Sequence, residues 1–264
     1  MKRILAGGLL AFVAACATQQ APSPEAVRDL APTGKLRAAI NFGNSVLAQK
    51  DPASGEARGV SVELARELSR RLGVPLELVT YDAAGKVNAD AARNVWDIGF
   101  FAIDPKRGEE VAFSAAYVVI EGGYAVPAGS PLRSADEVDR PGMRIMVSRG
   151  SAYDLYLSRH LRGAELVRAP SPASSFEMFQ REGLPALAGV KPALVAWASG
   201  RPGFRILDGR FMVIDQAMAT PHRQGEAGVR YLREFVEEMK ASGFVAAALE
   251  RSGQKDAAVA PAAR

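Results

Sequence analysis

The sequence predicts an α/β fold arranged as two similar lobes. Apolar runs of strand length alternate with amphipathic runs of helix length along the 264 residues, and this order is typical of parallel strands covered by helices. The alternation occurs twice, before and after residue 125. A long extended run over residues 117–126, broken by Gly122 and Gly123, joins the two halves.

The first half begins with an apolar strand over residues 36–40. A helix is predicted over Val60–Leu72, because apolar residues recur there at four-residue spacing and because Gly73 and Pro75 follow. A strand over residues 76–79, a helix over residues 83–95 and an apolar strand over residues 97–103 complete this half.

The second half repeats the alternation of strands and helices. Strands are predicted at residues 144–147, 165–168 and 204–207, with helices at residues 152–161, 174–182 and 193–199. A second extended run over residues 211–218 precedes an amphipathic helix over residues 226–242 and a last helix over residues 244–251. The repeat of the same order of elements is the reason to expect two lobes of similar design.

The N-terminus has the pattern of a bacterial export signal. Lys2 and Arg3 precede an apolar run over residues 4–15, which is too short to span a bilayer. Small residues then precede Cys16, as in a lipobox, where the cysteine is diacylated; a plain signal peptide with a chance cysteine is the alternative. Lipid chains on Cys16 would hold the protein on a membrane surface. Ala17 is typical of sorting to the outer membrane, and the leaflet stays open.

Two terminal segments are predicted to lie outside the packed structure. Residues 17–33 are rich in Pro, Ala and Gln, which is typical of a flexible tether. Residues 253–264 are rich in Ala and Pro and are expected to be disordered.

The composition argues against several kinds of function. Removal of Lys2 and Arg3 with the leader leaves 31 basic and 29 acidic residues, a net charge of +2, and the charges are mixed along the chain. No nucleic-acid partner is therefore expected. Cys16 is the only cysteine, so no disulfide can form within the chain. The two histidines lack companions at metal-ligand spacing, so neither a metal nor another cofactor is expected.

Short motifs follow one another in a fixed order over residues 34–252. Residues 58–65 open the first long helix, and residues 106–114 follow an apolar strand and contain Arg107. Further motifs lie at residues 34–37, 129–132, 141–145, 150–151 and 239–244. Taken together, they resemble the bacterial extracellular solute-binding proteins, family 3, the amino-acid-type binding proteins of ABC importers.

The resemblance implies a two-lobe periplasmic-binding-protein (Venus flytrap) fold with two hinge crossings. Lobe 1 would comprise residues 34–124 and 219–252, and lobe 2 would comprise residues 125–218. A ligand would bind between the lobes, which close over it by a hinge motion. The resemblance further implies an ABC permease in the inner membrane as partner, the periplasm as location, and a monomer.

Arg107 and Ser151 match the positions at which the family binds the carboxylate of its ligand. The planar fork of an arginine fits a carboxylate bidentately; the alternative for Arg107 is a surface pair with Glu109 or Glu110. Ser151 would add a hydroxyl at a helix N-terminus, where anions are favoured; the alternative is a plain N-cap.

The side of the site that would receive an α-ammonium departs from the family pattern. Val190 stands where the family usually has an acidic residue, and Ala102 stands where a hydroxyl is usual. Asn44 replaces the aromatic residue of the first loop, although Phe42 is close. An unpaired ammonium in a closed cleft is costly, so either another acid pairs with it or the ligand has no α-amine.

Three acids are candidates for the missing negative charge. Asp154 shares a helix face with Ser151, and its alternative is a solvated acid of the first helical turn. Glu121 lies on the run that leads into the hinge, and its alternative is a surface position. Asp104 follows the apolar strand that contains Phe100 and Phe101, which supply an apolar wall or, for at least one of them, pack without touching the ligand.

Three functions compete at this point. The first is a lipid-anchored importer protein that binds an amino acid or a related small carboxylate. The second is a periplasmic sensory or partner-binding module. The third is a dehydratase-like enzyme acting on a cyclic carboxylate; such chemistry needs a placed general acid or base, for which Glu121 is the candidate. The first is favoured, and no enzymatic activity is expected.

Overall fold

The computed structural model describes residues 21–263. The predicted leader, the lipidation site Cys16 and Ala17 lie outside the described residues. Within the described part of the chain, no helix is both long and apolar enough to cross a bilayer.

Strands and helices alternate along the described residues in the predicted order. The strands are β1 (Leu36–Asn41), β2 (Gln49–Lys50), β3 (Ala57–Arg58), β4 (Leu76–Tyr81), β5 (Ile98–Ala102), β6 (Val111–Pro127), β7 (Arg144–Ser148), β8 (Glu165–Ala169), β9 (Ala186–Val190), β10 (Phe204–Ile206), β11 (Met212–Pro221) and β12 (Ala258–Val259). The helices are α1 (Pro24–Leu30), α2 (Val60–Leu72), α3 (Ala84–Ala89), α4 (Ala152–His160), α5 (Pro172–Glu182), α6 (Lys191–Ala198), α7 (Glu226–Ala241) and α8 (Phe244–Arg251). Short 3₁₀ turns occupy Ala91–Arg93, Arg107–Glu109 and Ala135–Glu137.

The long helices form where the sequence places an apolar stripe between clear end signals. α2 buries Val60, Leu64, Leu68 and Leu72 on one face. It ends at Gly73, whose φ of 67° is left-handed and favours glycine. The amphipathic pattern of α2 therefore sets both its length and the face that covers the sheet.

A ten-stranded mixed sheet runs through the molecule in the order β4-β1-β5-β11-β6-β9-β7-β8, with β10 and β12 also paired to β6. At one end β1 is parallel to β4 and β5, and at the other β7 is parallel to β8 and β9. The central strands β6 and β11 are antiparallel to each other. These two long strands carry the chain from one parallel part of the sheet to the other.

The buried apolar residues fall into separate clusters on the two sides of this crossing. Two clusters contain side chains from α1 to the start of β6 and from β11 to α8. Two others contain side chains from the end of β6 to the loop before β11. This separation of cores, joined by β6 and β11, is the arrangement of a two-lobe periplasmic-binding-protein (Venus flytrap) fold with two crossings.

The expectation of a flexible tether over residues 17–33 is wrong for the part that is described. Residues 24–30 form α1, capped by Ser23, whose hydroxyl accepts a hydrogen bond from the Ala26 amide at 3.1 Å. Leu30 is fully buried. The Asp29 carboxylate accepts a hydrogen bond from the Gly228 amide of α7 at 2.9 Å. The Ser-Pro start caps this helix, and its contacts with α7 order the segment on the first core.

The expectation of a disordered tail over residues 253–264 is also wrong for its described part. Residues 258–259 form β12, which pairs with Val118 and Val119 of β6. The Ala260 amide donates to the Tyr117 carbonyl at 3.1 Å. The tail is extended here because its backbone groups pair with those of β6. Such pairing does not depend on the side-chain pattern of the tail.

Candidate ligand-binding cleft

The ends of several strands meet at one cavity between the two lobes. β1 ends at Asn41 and β5 at Ala102, while β7 ends at Ser148 and β9 at Val190. All four residues line the cavity. The carboxyl ends of parallel strands lie at the same edge of a sheet, which is where α/β proteins bind ligands.

The cavity wall combines polar and apolar side chains from both lobes and from β11. Its polar lining is Asn41, Asn44, Arg107, Ser148, Ser151, Tyr153 and Gln216. Its apolar lining includes Phe100, Phe101, Ala102, Pro172, Val190 and Ile214. The volume of about 40 Å³ exceeds the ~10–15 Å³ that one water needs. It is far below the ~300–1,000 Å³ of ligand pockets in general.

The small volume reflects lobes that touch across the cleft. The Arg107 guanidinium of lobe 1 donates through Nη2 to the carbonyl oxygen of Gly150 in lobe 2 at 2.9 Å. Arg159 on α4 donates through Nη2 to Oδ2 of Asp104 at 2.7 Å. Gly85 on α3 lies so close to the loop before α4 that an added Cβ would be 2.6 Å from the Arg149 carbonyl oxygen. The structure is therefore a closed form.

Arg107 is buried in the cavity wall and its hydrogen bonds leave donors unused. Its residue surface is 1% exposed. Nη1 donates to the Ala102 carbonyl at 2.9 Å. Nε has no hydrogen-bond partner among the described residues. The guanidinium also lies 5.4 Å from the centre of the Phe101 ring. The alternative of a surface pair with Glu109 or Glu110 is wrong, because the guanidinium bonds two carbonyls in the interior.

The charge of Arg107 is only partly compensated. Burial lowers the pKa of the Arg107 guanidinium to about 10, against the opposing effect of Asp104, so the group remains protonated at neutral pH. The Asp104 carboxylate is itself the partner of Arg159. Two guanidinium groups thus share one carboxylate, and one negative charge is missing.

Ser151 caps a helix and also borders the cavity. It is the N-cap of α4, and its hydroxyl accepts a hydrogen bond from the Asp154 amide at 3.0 Å. It is also part of the cavity lining. Beside it, burial raises the pKa of the Tyr153 hydroxyl to about 12, against opposing hydrogen bonds from the side chains of Ser151 and Ser148. The phenol is therefore neutral at physiological pH and presents a hydroxyl dipole to the cavity.

Side-chain amides supply most of the remaining polar surface. Oδ1 of Asn41 accepts from the Gly43 amide at 2.9 Å, and Oδ1 of Asn44 accepts from the Val46 amide at 3.3 Å. These bonds fix the two amides and leave their nitrogen atoms for a ligand. Gln216 of β11 is 4% exposed, and its side chain makes no hydrogen bond to residues 21–263. Each amide can donate as well as accept, so these groups suit a neutral oxygen.

Four residues predicted for the site do not line the cavity. Phe42 lines a neighbouring groove of about 300 Å³, which Val190 also lines. Asp154 accepts hydrogen bonds from the Gly150 amide at 2.8 Å and from Arg168 Nε at 2.9 Å. Glu121 pairs with Arg210 and Lys191, and these hydrogen bonds, Arg210 foremost, lower the pKa of its carboxyl. Asp104 is outside the cavity lining and pairs with Arg159. None of these acids borders the cavity in this structure, and a contact between one of them and a ligand stays a prediction.

The residues that the sequence argument missed fall into two kinds. Asn41 and Ser148 stand at strand ends, where a polar residue is a signal that the sequence offered. Gln216 stands between Ile214 and Met218 on the same face of β11, so a polar side chain on an apolar face was a second signal. Tyr153 and Pro172 gave none, because they meet the cavity only through the packing of α4 and α5.

The described residues contain no cluster of three or more His, Cys, Asp or Glu side chains placed to bind a metal ion. The chemistry that the cavity offers is recognition: one buried cation, several neutral hydrogen-bonding groups and apolar walls.

The model of the bacterial extracellular solute-binding proteins, family 3, matches residues 47–255. The chain belongs to this family. The matched range includes the strand ends at Ala102, Ser148 and Val190, both crossings and Arg107. The cavity described above is thus the interlobe cleft of a family-3 protein.

Relatives of known name agree with the family and the fold. The glutamine-binding protein of Geobacillus stearothermophilus is 22% identical over 182 residues, 67% of this chain and 69% of that protein. The P235GK mutant of ArgBP from T. maritima superposes with a TM-score of 0.74 at 20% identity, covering 87% of this chain and 100% of the other. The solute receptor for L-cysteine of Neisseria gonorrhoeae has a TM-score of 0.74 at 23% identity, covering 86% and 92%.

Proposed function

We propose that this family-3 protein binds a small carboxylate in the cavity between its lobes and delivers it to the permease of an ABC importer. The amino acids named for the relatives, glutamine and L-cysteine, define the class of ligand: a compact molecule with a carboxylate. The ligand is an amino acid or a related small acid.

The observation that carries this proposal is the state of Arg107. The residue is 1% exposed, the acid that acts on its charge, Asp104, is the ion-pair partner of Arg159, and its Nε is unbonded among residues 21–263. A buried cation without a full counter-charge is costly. A ligand carboxylate supplies the missing negative charge. It also accepts hydrogen bonds from the remaining N–H groups of Arg107 in a bidentate geometry.

Hinge motion about β6 and β11 gives the protein its binding cycle. Lobe 1 comprises residues 34–124 and 219–252, together with α1, and lobe 2 comprises residues 125–218. The ligand enters when the lobes part, and the contact between Arg107 and Gly150 forms again on closure. Closure removes water from the cavity, so every polar contact with the ligand strengthens.

The N-terminal pattern extends the proposal to location and partners. Cys16 carries the lipid anchor, Ala17 directs the lipoprotein to a membrane leaflet facing the periplasm, and the protein acts there as a monomer. Its partner is the ABC permease of the inner membrane. A sensory module would use the same cavity with a different membrane partner.

A dehydratase-like activity has less support. Its candidate general acid, Glu121, is bound by Lys191 at 3.0 Å and by Arg210 at 2.6 Å and lies outside the cavity lining. No described acid lines the cavity, so proton transfer to a bound substrate lacks a carboxyl donor there.

The test measures binding of small carboxylates, with and without an α-amine, to the purified protein by thermal shift and by calorimetry. Tight binding raises the melting temperature by mass action. For the best ligand, Arg107→Met is expected to weaken binding about 30-fold or more, because truncating one partner of a buried charge pair costs about 2 kcal/mol or more. Arg133→Met, which removes an exposed arginine, is the matched control and leaves the dissociation constant unchanged.

Arg107→Lys is the second variant, since it keeps the charge and loses only the fork. An intermediate loss of affinity is expected. Equal binding by wild type and Arg107→Met, with both folded, would overturn the carboxylate site. Failure of the folded wild type to bind any carboxylate would overturn the function itself.

A further inference from the structure

We propose that the ligand is a small monocarboxylate that carries no ammonium group. The inference rests on the proposed carboxylate site at Arg107 and assigns the part of the ligand that Arg107 does not touch. That part meets neutral polar groups and apolar walls, so a hydroxyl, a carbonyl oxygen or a hydrogen atom takes the place of an amine.

The first step is the charge of the cavity lining. Arg107 is its only ionised side chain among the described residues, and the other polar groups are hydroxyls and amides. The closed cavity therefore has one positive charge. Val190, beside the ligand space, adds an apolar surface.

The second step concerns the ion-pair partners of the acids near the cleft. Three acids of the cleft region have cationic partners: Asp104 with Arg159 at 2.7 Å, Asp154 with Arg168 at 2.9 Å, and Glu121 with Lys191 at 3.0 Å. Asp82 lines the neighbouring groove, but its side chain is 60% exposed and pairs with Lys86 at 2.7 Å. These four acids are all paired, and no described acid lines the cavity.

The third step compares two ligands in this environment. An amine-free carboxylate cancels the charge of Arg107, so the closed cavity becomes neutral. An α-amino acid is a zwitterion, and its carboxylate and ammonium cancel each other. The closed cavity would then keep one positive charge, and the ammonium would lie near a second cation. Burying an unpaired charge costs far more than burying a neutral hydrogen-bonding group.

The fourth step is what the neutral groups recognise. The nitrogen atoms of Asn41 and Asn44 remain available, because the hydrogen bonds of these side chains use Oδ1. Gln216 makes no hydrogen bond to residues 21–263 and offers both a donor and an acceptor. A carbonyl oxygen accepts from such amides, and a hydroxyl does both. The cavity volume of about 40 Å³ favours a small ligand.

The experiment compares ligands that differ only in the amine. Calorimetry on the purified protein measures L-alanine against L-lactate, pyruvate and propionate, and L-valine against its 2-hydroxy and 2-oxo analogues. The expected result is a preference of at least about tenfold for the amine-free member of each set, the factor that corresponds to about 1.4 kcal/mol. Equal or tighter binding of the amino acids overturns the inference.

A pair of variants tests the charge argument directly. Val190→Asp adds the missing negative charge, and it is expected to shift the ratio of the two affinities at least about tenfold toward the α-amino acid. Val190→Asn introduces a side chain of nearly the same shape as Asp but without charge, and its shift of the ratio is expected to be much smaller than that of Val190→Asp. Equal shifts in the two folded variants, or none in Val190→Asp, overturn the explanation by charge. If Val190→Asp does not fold, the wild-type comparison decides.

The outcomes separate this inference from the proposed function. Binding of amino acids in preference to their amine-free analogues, still sensitive to Arg107→Met, retains the function and removes the inference. Absence of binding by both classes removes the function.

Discussion

Gln216 is a polar residue with apolar neighbours on its face of β11. Ile214 and Met218 flank it on the same face of β11 and are both buried. In a core, a buried amide without hydrogen bonds costs free energy. Here the amide borders the cavity, so its hydrogen-bonding groups stay available to a molecule bound there.

Replacing Gln216 separates its binding role from its structural role. Gln216→Met keeps the length of the side chain and removes the amide. We expect the affinity for the carboxylate ligand to fall about tenfold, as for loss of about 1.4 kcal/mol of hydrogen bonding. We expect the free energy of unfolding without ligand to stay equal or to rise, because no protein hydrogen bond is lost. Calorimetry and urea unfolding measure the two quantities. A loss of stability without loss of affinity would mean that the amide is structural.

Among the helices, α2 and α7 are joined by a chain of charges as well as by apolar contact. Glu67 of α2 pairs with Arg70 and Arg71 at 2.8 Å, and Arg71 pairs with Glu238 of α7 at 2.7 Å. Arg71 also lies 5.1 Å from the centre of the Phe235 ring. Both helices cover the same lobe. The network joins them through side chains that are partly exposed to solvent, outside the apolar core.

The network predicts how stability depends on pH. The pKa of Glu67 is lowered from 4.5 to about 2. The hydrogen bond from Arg70 has the largest effect, burial opposes it, and the hydrogen bond from Arg71 lowers the pKa further. Because the folded pKa is depressed, the stabilisation is complete above about pH 4.5 and is lost as the pH falls through about 2. Glu67→Gln is expected to lower the free energy of unfolding by roughly 1–2 kcal/mol at pH 7, a figure reduced for solvent screening.

The measurement is urea unfolding of wild type and Glu67→Gln at several pH values between 7 and 2. The difference between the two proteins should shrink below about pH 4.5 and be mostly lost at about pH 2, where the wild-type carboxyl is about half protonated. Glu56→Gln, at an exposed position in a turn, is the control and should match wild type throughout. A difference that is constant over the whole range would contradict the electrostatic account.

For the whole molecule, closure depends on close approach of the backbones of the two lobes. A Cβ on Gly85 would lie 2.6 Å from the Arg149 carbonyl oxygen, and one on Gly150 would lie 2.8 Å from the Gly85 Cα. The ion pair between Arg159 and Asp104 crosses the same gap. The two glycines therefore set how far the lobes close, while the ion pair favours the closed arrangement.

Gly85→Ala tests this dependence on shape. The added methyl group is expected to hold the lobes apart, so ligand affinity falls about tenfold or more while the unliganded fold is retained, since alanine suits a helix better than glycine. Small-angle scattering should show wild type contracting on ligand addition and the variant contracting less. Gly129→Ala, where an added Cβ has no neighbour within 4 Å, is the control. Full contraction and unchanged affinity in Gly85→Ala would contradict this role.

The sequence was informative wherever one segment carried its own signal. The period of apolar residues gave α2, and the run after residue 97 gave β5. Arg107 was found because a charged residue follows a buried strand. The wrong predictions concern segments whose conformation depends on a part of the chain that is distant in sequence. α1 is ordered by α7, and β12 is ordered by β6. Neither partner can be read from the segment itself.

The sequence by itself determined the order of strands and helices, the family and the position of the arginine, because these depend on local pattern and on short motifs. Only the tertiary structure decided which acids are already paired and which side chains share the cavity. Charge compensation is a property of atoms within a few ångströms of one another. Asp104, Asp154 and Glu121 each meet their partners through the fold, and what remains in the cleft is one buried arginine without a full counter-charge.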